Sequence, residues 1–378
     1  MNGSFDVLFN GIVADDFDAN LSELDVEENL DLPGAFQLTL PVTRTEDGDL
    51  DMPADARTAP LTNIAVVASA DDAKIHCLID GFVLSQTAHL DTGTAASEVK
   101  LWGQDATWLM NLEEKTREWV DTSDGAIANT IFGEYGFLAD PGNLQDDQVT
   151  HNEDGHSLMQ RGSDAQFLRK LARRNGKLFR VFCTDTPGQR VGWFGRPVLG
   201  SEPDVVLTLN NADDSDETAS IDAVDISWDV TRPTAVVAHQ ALFTDDDPQG
   251  VGGTHDDSGL VALDARPLAA FTGAAVTTLL TAAVDDAASL AQRAQSVLRD
   301  AGWFVRCQGS ADAARLGSIL RAGMVARLDA AGSLHSGNYL VWSVRHRINA
   351  QRHVMDFVLM RNAVGPAPGG GLPGGLGG

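Results

Sequence analysis

The chain has 378 residues, 43% of them hydrophobic, and a formal net charge of −27. This length allows two or three domains, each with its own core. Nucleic acid and anionic membranes attract cationic surfaces, so the charge argues against either as a partner. The acidity fits a high-salt source, a GC-rich genome, or a passage that repels a polyanion.

The first residues show no basic region followed by a long apolar run, so we predict no signal peptide there. No apolar stretch approaches the length of a membrane-spanning helix. The three cysteines, Cys77, Cys183 and Cys307, are far apart in the chain and lie in apolar runs. We predict buried free thiols in a protein that is synthesised in the cytoplasm.

Residues 1–105 are predicted to form a small antiparallel β-barrel or sandwich. Phe5, Val7 and Phe9 alternate with other residues, and Asn10-Gly11 is a strong hairpin signal. The acidic segment 43–58 is predicted to be a long exposed loop. Further short strands, separated by turn residues, are predicted at 35–40, 64–68, 75–84 and 98–101.

Residues 106–212 are predicted to form an α/β domain, because the hydrophobic period changes from that of strands to that of helices. A short helix is predicted at 105–111. A longer helix at 124–135 places Ile127, Ile131 and Phe132 on one face. Strands are predicted at 178–182 and 205–209.

The helix that follows Ser163 has the clearest local pattern, and a polar turn is predicted before it. Ser163 is a good N-cap, and Gln166 completes a capping-box pattern. Gly176 is placed for the left-handed position after the helix. The apolar face consists of Ala165, Phe167, Leu168, Leu171 and Ala172. The opposite, basic face consists of Arg169, Lys170, Arg173 and Arg174.

Residues 213–362 are predicted to form a second β domain with one long helix at 284–301, after an acidic linker. The segment 245–259 is predicted to be a flexible acidic loop, and residues 363–378 a flexible Gly/Pro-rich tail. The inward residues of the first strand, 221–230, are predicted to be Ile221, Ala223, Ile226 and Trp228. Further strands are predicted at 235–242, 303–308, 324–328, 339–347 and 353–361.

No catalytic, cofactor or metal site is predicted. The sequence lacks HExxH, a P-loop and a GxGxxG motif after a strand. His151 and His156 lie in a polar, acidic loop, where a solvated loop or a carboxylate–imidazole metal site would account for them. His346 and His353 flank a turn between two strands and are expected to form an exposed pair that faces across the hairpin.

Two stretches of the sequence carry ordered motifs. The first runs through Gly162-Ser163-Asp164, Phe167-Leu168, Leu171-Ala172, Asn175-Gly176 and Phe179–Val181. The second runs through Ala322–Val325, Gly337, Tyr339, Val341, Val344 and His346, and it closes at Arg361-Asn362. Together they resemble signatures of contractile-tail baseplate hub proteins, namely the phage late control protein D family and the hub portion of VgrG-type spikes.

The resemblance implies a mainly β protein with two tube-like antiparallel β-barrels and an α/β middle domain. It also implies a homotrimer, in which six barrels join the sixfold tail tube to the threefold central spike. The expected partners are further copies of the chain, the tail tube protein, a separate spike protein and other baseplate proteins. The expected location is a phage tail or injection-system particle, and the particle type stays open.

The resemblance implies a structural protein and not an enzyme, and no lysozyme motif is visible. The basic face of Arg169, Lys170, Arg173 and Arg174 is then predicted to be an assembly interface. Two alternatives from other classes are a metal-dependent hydrolase that uses His151 and His156, and a carbohydrate- or protein-binding β-module.

Overall fold

The structure is a computed structural model, and it describes residues 4–70, 74–92, 97–139, 144, 150–151, 158–209, 219–240, 251–282 and 287–366. The strands are β1 (Ser4–Phe9), β2 (Ile12–Val13), β3 (Glu23–Asn29), β4 (Ala35–Pro41), β5 (Asn63–Ser69), β6 (His76–His89), β7 (Glu98–Asp105), β8 (Glu114–Trp119), β9 (Thr122–Ser123), β10 (Thr150–His151), β11 (Leu158–Ser163), β12 (Leu178–Cys183), β13 (Arg190–Gly195), β14 (Val205–Thr208), β15 (Ile221–Trp228), β16 (Ala235–Gln240), β17 (Val251–His255), β18 (Arg266–Pro267), β19 (Thr277–Leu280), β20 (Val305–Asp312), β21 (Val325–Asp329), β22 (Gly337–Ile348), β23 (His353–Arg361) and β24 (Ala363–Val364). The α-helices are α1 (Asp15–Asn20), α2 (Asp51–Ala54), α3 (Asp124–Glu134), α4 (Asp164–Arg174), α5 (Leu268–Thr272), α6 (Ala287–Gly302), α7 (Ala313–Leu316) and α8 (Gly332–His335).

Most strands belong to one large sheet of 13 strands, called here the main sheet. Its order is β15-β20-β23-β22-β3-β4-β7-β6-β5-β1-β2, with β21 pairing with β22 and β14 with β21. The N-terminal and C-terminal β parts meet where β3 pairs with β22, with Glu27 opposite Arg345. The mainly β prediction is therefore confirmed, and the strands expected in two barrels share one continuous sheet.

Strand β3, which makes this join, was not predicted from the sequence. Leu24 and Val26 point into the core, and the next inward position is Glu28, which is 8% exposed. A carboxylate at an inward position ends the apolar alternation after two residues, so the period-2 signal is too short to detect.

The described residues form two principal hydrophobic cores. The larger core contains residues of both terminal parts, for example Val26, Leu38, Val344 and Phe357. The second core lies within residues 106–194 and surrounds Phe132. The proposed domain boundaries at 105/106, 212/213 and 362/363 stay a prediction.

Helix α4 has the predicted caps. The Ser163 hydroxyl accepts a hydrogen bond from the backbone N–H of Gln166 at 3.3 Å. Gly176 follows the helix with a φ of 61°. A Cβ on Gly176 would lie 2.9 Å from the Cα of Ser296 in α6, so the glycine also permits the close approach of that helix. The polar turn predicted before Ser163 is wrong, because residues 158–163 form β11 and pair with β8.

The predicted inward face of β15 is partly wrong. Ile221 is buried, but Ala223 is exposed and Trp228 is 49% exposed. The register with β20 shifts between Ile221 and Val224, so Ala223 leaves the inward face. Ile226 and Trp228 lie on that face, opposite the buried Cys307 and Val305, although the indole of Trp228 is half exposed.

Three predicted loops contain regular structure. Segment 43–58 includes α2 and a 3₁₀ turn with Thr58 buried. Within 245–259, residues 251–255 form β17, which pairs with β16, and 245–250 lie outside the described residues. Residues 363–364 of the predicted tail are buried as β24, and 367–378 lie outside the described residues.

None of the helices in the described part of the chain is long and apolar enough to cross a membrane.

Candidate assembly surfaces

The basic face of α4 divides into an inward and an outward half. Arg169 is half-buried, and its Nε donates to the backbone oxygen of Asp31 at 3.2 Å. Arg174 is also half-buried, with its Nη2 3.5 Å from the Asp124 carboxylate. Lys170 and Arg173 are exposed. The outward half of the face therefore consists of Lys170 and Arg173.

Asp31 anchors the start of this face to the main sheet. The guanidinium of Arg173 contacts the Asp31 carboxylate at 2.5 Å, although its side chain is 57% exposed. This hydrogen bond raises the pKa of Arg173, whereas burial lowers the pKa of Arg169. The two arginines of α4 thus bind the turn that follows β3 through contacts with Asp31.

The junction between the main sheet and the middle domain is polar and buried. Arg190 of β13 pairs with Asp80 of β6 at 2.6 Å. The Nη1 of Arg180 donates to the backbone oxygen of Ala322 at 2.8 Å, and burial lowers the pKa of Arg180 to about 10. The thiol of Cys183 donates to the backbone oxygen of Cys77 at 2.8 Å. The three cysteines are free and buried, which confirms that prediction.

A second buried ionic group lies beneath the join of β3 and β22. Arg321 contacts the Glu28 carboxylate at 2.5 Å, and the Nε2 of His346 lies 3.3 Å from the same oxygen. Burial alone would raise the pKa of Glu28, but Arg321 and His346 hold it below its usual value. Three segments of the chain therefore meet at one carboxylate.

His346 and His353 face each other as predicted, with Nδ1 and Nε2 2.9 Å apart, but they are not exposed. His346 is 0% and His353 7% exposed, because both point to the core side of β22 and β23. Burial lowers the pKa of His346, and it lowers the pKa of His353 to about 3. This pair is therefore a core contact and not a surface site.

His151 is part of a buried contact within the subunit. Its Nε2 lies 2.7 Å from the Asp124 carboxylate and 3.4 Å from Arg174. His156 lies outside the described residues. Within the described ranges, no three His, Cys, Asp or Glu side chains are grouped so that they could hold a metal.

The closing Arg361-Asn362 motif fixes a loop against the end of β23. Arg361 is fully buried and pairs with Asp264. The Nδ2 of Asn362 donates to the backbone oxygen of Val261 at 2.8 Å, and its Oδ1 accepts from the N–H of Leu263 at 2.9 Å. These motif residues act in folding, and their contacts indicate no reaction.

The two ends of the main sheet carry side chains that are exposed to solvent, unlike the internal contacts described above. At one end, the hairpin of β1 and β2 exposes Ile12 by 73% and Val13 by 47%. Asp15 and Asp16 follow in α1 and are also exposed. At the other end, β15 is the outermost strand and exposes Asp222, Asp225 and Trp228.

A groove of about 460 Å³ lies on the main sheet near the β15 end. Trp303, Trp342, Val358 and Met360 form its floor, and the two indole rings are 6.0 Å apart. This set of residues, with Arg232 and Arg306 at the rim, is called here the Trp342 groove. Asp300 is the one carboxylate among the residues that line it.

Comparisons with known proteins point to tail structures. The sequence model of a family described as phage tail baseplate hub (GPD) matches residues 27–352. A search of curated protein sequences finds no match. The tail protein from Neisseria meningitidis MC58 is similar in structure, with a TM-score of 0.66, 14% identity, and coverage of 96% of this chain and 97% of that chain.

Two further solved structures are similar over most of the chain. The 43 kDa tail protein of prophage MuSo2 from Shewanella oneidensis has a TM-score of 0.65 and 13% identity, and the match covers 96% of this chain and 99% of that one. The E. coli c3393 protein, a component of the type VI secretion system, has a TM-score of 0.52 and 12% identity, with coverage of 92% and 76%. At these identities the likeness establishes the fold.

Proposed function

Because the chain belongs to the phage tail baseplate hub (GPD) family, we propose that it is the structural hub of a contractile tail or injection system. In this proposal it forms a homotrimer that joins the sixfold tail tube to the threefold central spike. Its partners are two further copies of itself, the tail tube protein, the spike protein and other baseplate proteins. It is synthesised in the cytoplasm and incorporated into the particle without inserting into a membrane or binding a specific nucleic acid.

The main support for the proposal is the continuous main sheet. It contains two groups of strands, one from each end of the chain, which meet at β3 and β22. Three copies would therefore present six groups of strands, which is the number needed to match a sixfold tube. Among the described residues, β2 and most of β15 have no strand paired on their outer side, although Ile221 at the start of β15 forms a bridge with Leu209. A closed ring is one way to cover such edges.

The basic face of α4 is the second element of the proposal. In an acidic protein, the exposed Lys170 is suited to contact an acidic surface of a neighbouring subunit. Arg173 adds to this surface, because its side chain is 57% exposed although it pairs with Asp31. Arg169 and Arg174 support that surface from within, because their guanidinium groups contact Asp31 and Asp124 of their own chain.

The molar mass of the purified chain tests the trimer. Light scattering during size-exclusion chromatography should give three times the mass of the 40.2 kDa chain or, after addition of the tail tube protein, a complex that contains three copies of the chain. A chain that stays monomeric and never associates with the tube or the spike protein would refute the proposal.

A further inference from the structure

The hairpin tip at the β2 end of the main sheet has an unusual composition for a free surface. Ile12 and Val13 are both exposed apolar residues, and they are adjacent in sequence. The acidic residues Asp15 and Asp16 follow within one turn of α1. Asp16 is paired with Arg57 at 2.8 Å, whereas the exposed Asp15 is closer in sequence to the tip. The tip is therefore an apolar knob with an acidic flank.

The Trp342 groove has the complementary composition. Its floor is aromatic and aliphatic, and its rim carries Arg232, Arg306 and Asp300. Arg232 pairs with Asp229 of its own chain at 3.5 Å, whereas Arg306 is exposed. Trp and Arg are the residues that most often dominate binding energy at protein interfaces. The exposed Arg306 beside this apolar floor favours an acidic partner, and a second copy of a chain of net charge −27 supplies one.

We propose that the Ile12–Val13 tip of one copy docks in the Trp342 groove of a second copy, with Asp15 facing Arg306. This inference rests on the proposed trimer and specifies its subunit contact. The tip lies at the β2 end of the main sheet, and the groove lies on β20, β22 and β23 near the β15 end. Two different surfaces therefore meet in a head-to-tail contact, which closes into a ring when the rotation between copies is one third of a turn.

A photo-crosslinker at the tip tests this contact without assuming the partner. Ile12→p-benzoylphenylalanine, irradiated in the purified chain alone and with the tail tube protein, should give products of two and three chain masses. The crosslinked peptides should contain residues 303–306, 342–343 or 358–360. Because Ile12 is 73% exposed, the substitution leaves the core intact.

The outcomes separate this inference from the proposed function. A trimer whose crosslinks map to other surfaces, or only to the tube protein, overturns the docking contact and leaves the trimeric hub standing. A chain that remains monomeric under both conditions overturns the trimer and the contact together.

A charge exchange tests the pairing of Asp15 with Arg306. Arg306→Asp should raise the dissociation constant of the trimer about tenfold or more, since close charge pairs across interfaces couple by about 1.5 kcal/mol or more. Adding Asp15→Arg should restore most of the affinity. Arg352→Asp is the matched control, because Arg352 is also an exposed arginine of the C-terminal part but lies outside the groove. Equal weakening by both single variants, or no recovery in the double variant, contradicts the pairing.

Discussion

Helix α4 carries four cations on one face, and the rim of the Trp342 groove carries two. In α4, three of the four contact groups of their own subunit, namely Asp31 and Asp124. At the groove, Arg306 is exposed and lies beside an apolar floor. The basic face in the first signature stretch is thus mostly engaged inside the subunit. The groove instead uses Trp342, Val358 and Met360, which lie between the motif positions of the second stretch.

Residues of a family signature can therefore serve to hold distant segments of the subunit together. Asn175-Gly176 and Arg361-Asn362 both belong to the motifs, and both fix contacts between segments that are distant in sequence. The following predictions test this division between internal junctions, where substitutions should change stability, and outward surfaces, where they should change assembly.

The largest expected effect is at the Glu28 junction. Arg321→Met leaves a buried carboxylate without its cation, and we expect the free energy of unfolding to fall by about 3–5 kcal/mol. The matched control is Arg327→Met, because Arg327 pairs with Asp329 at an exposed position. That change should cost at most about 1 kcal/mol. Chemical denaturation of the purified chain measures both losses. Equal losses would mean that the buried pair of Arg321 and Glu28 stabilises the fold no more than an exposed ion pair does.

The second prediction concerns Gly176. Gly176→Ala forces a side chain into left-handed backbone, at about 1–2 kcal/mol, and into contact with α6, at a further 1–3 kcal/mol or so. Gly188→Ala is the control, because Gly188 has a φ of 86° and a Cβ added there would have no neighbouring atom within 4 Å. Thermal denaturation should show the larger loss for Gly176→Ala. Equal losses would show that the approach of α6 makes no contribution.

The third prediction is a pH dependence from the buried histidine pair. Burial holds the pKa of His353 at about 3, well below its unfolded value, so the folded state favours the neutral ring. The contribution of His353 to the free energy of unfolding is then fully present above about pH 6.5. It falls as the pH drops, by about 2 kcal/mol between pH 7.5 and 5. His353 faces His346, which in turn faces Glu28, and Arg321 contacts the same carboxylate.

His353→Gln should remove most of this acid sensitivity, because glutamine does not titrate. Denaturation curves at pH 7.5, 6 and 5 compare the variant with the natural chain, so that the titration of the many carboxylates cancels. Parallel losses in both proteins would show that His353 is not the titrating group.

The smallest effect on folding is expected at the outward half of the α4 face. The double variant Lys170→Glu with Arg173→Glu should cost about 1 kcal/mol or less in stability, since the one ion pair lost is exposed. It should nevertheless reduce the amount of trimer or of complete particles. Arg169→Glu is the comparison, because Arg169 is half-buried and the change places a carboxylate beside the backbone oxygen of Asp31, which should destabilise the subunit. Normal assembly of the double variant would mean that the face is only solvated.

The sequence predicted the elements that have a long and regular pattern. Helix α4 and its caps, and strand β23 with its bounds at 353 and 361, follow from local residues alone. Strand β3 was not predicted, because its inward Glu28 is neutralised by Arg321, which is 293 positions away. The joining of the two β parts depends on this one strand and was therefore not visible in the sequence.

The candidate assembly surfaces were predicted only in part, because they too depend on contacts between residues that are distant in sequence. The basic face was found because four cations recur at helical spacing, but its division into inward and outward halves depends on Asp31 and Asp124. The Trp342 groove brings together residues from Asn29 to Met360. No sequence pattern marks it, because each strand contributes only one or two of its side chains.

Electron microscopy of the purified chain mixed with the tail tube protein shows whether three copies of the chain form a ring at the end of the tube. The proposal predicts threefold rings with a central hole, each attached to the end of a sixfold tube, with the main sheets of three copies joined head to tail. Particles that contain one or two copies, or a tube that ends without this protein, would contradict it.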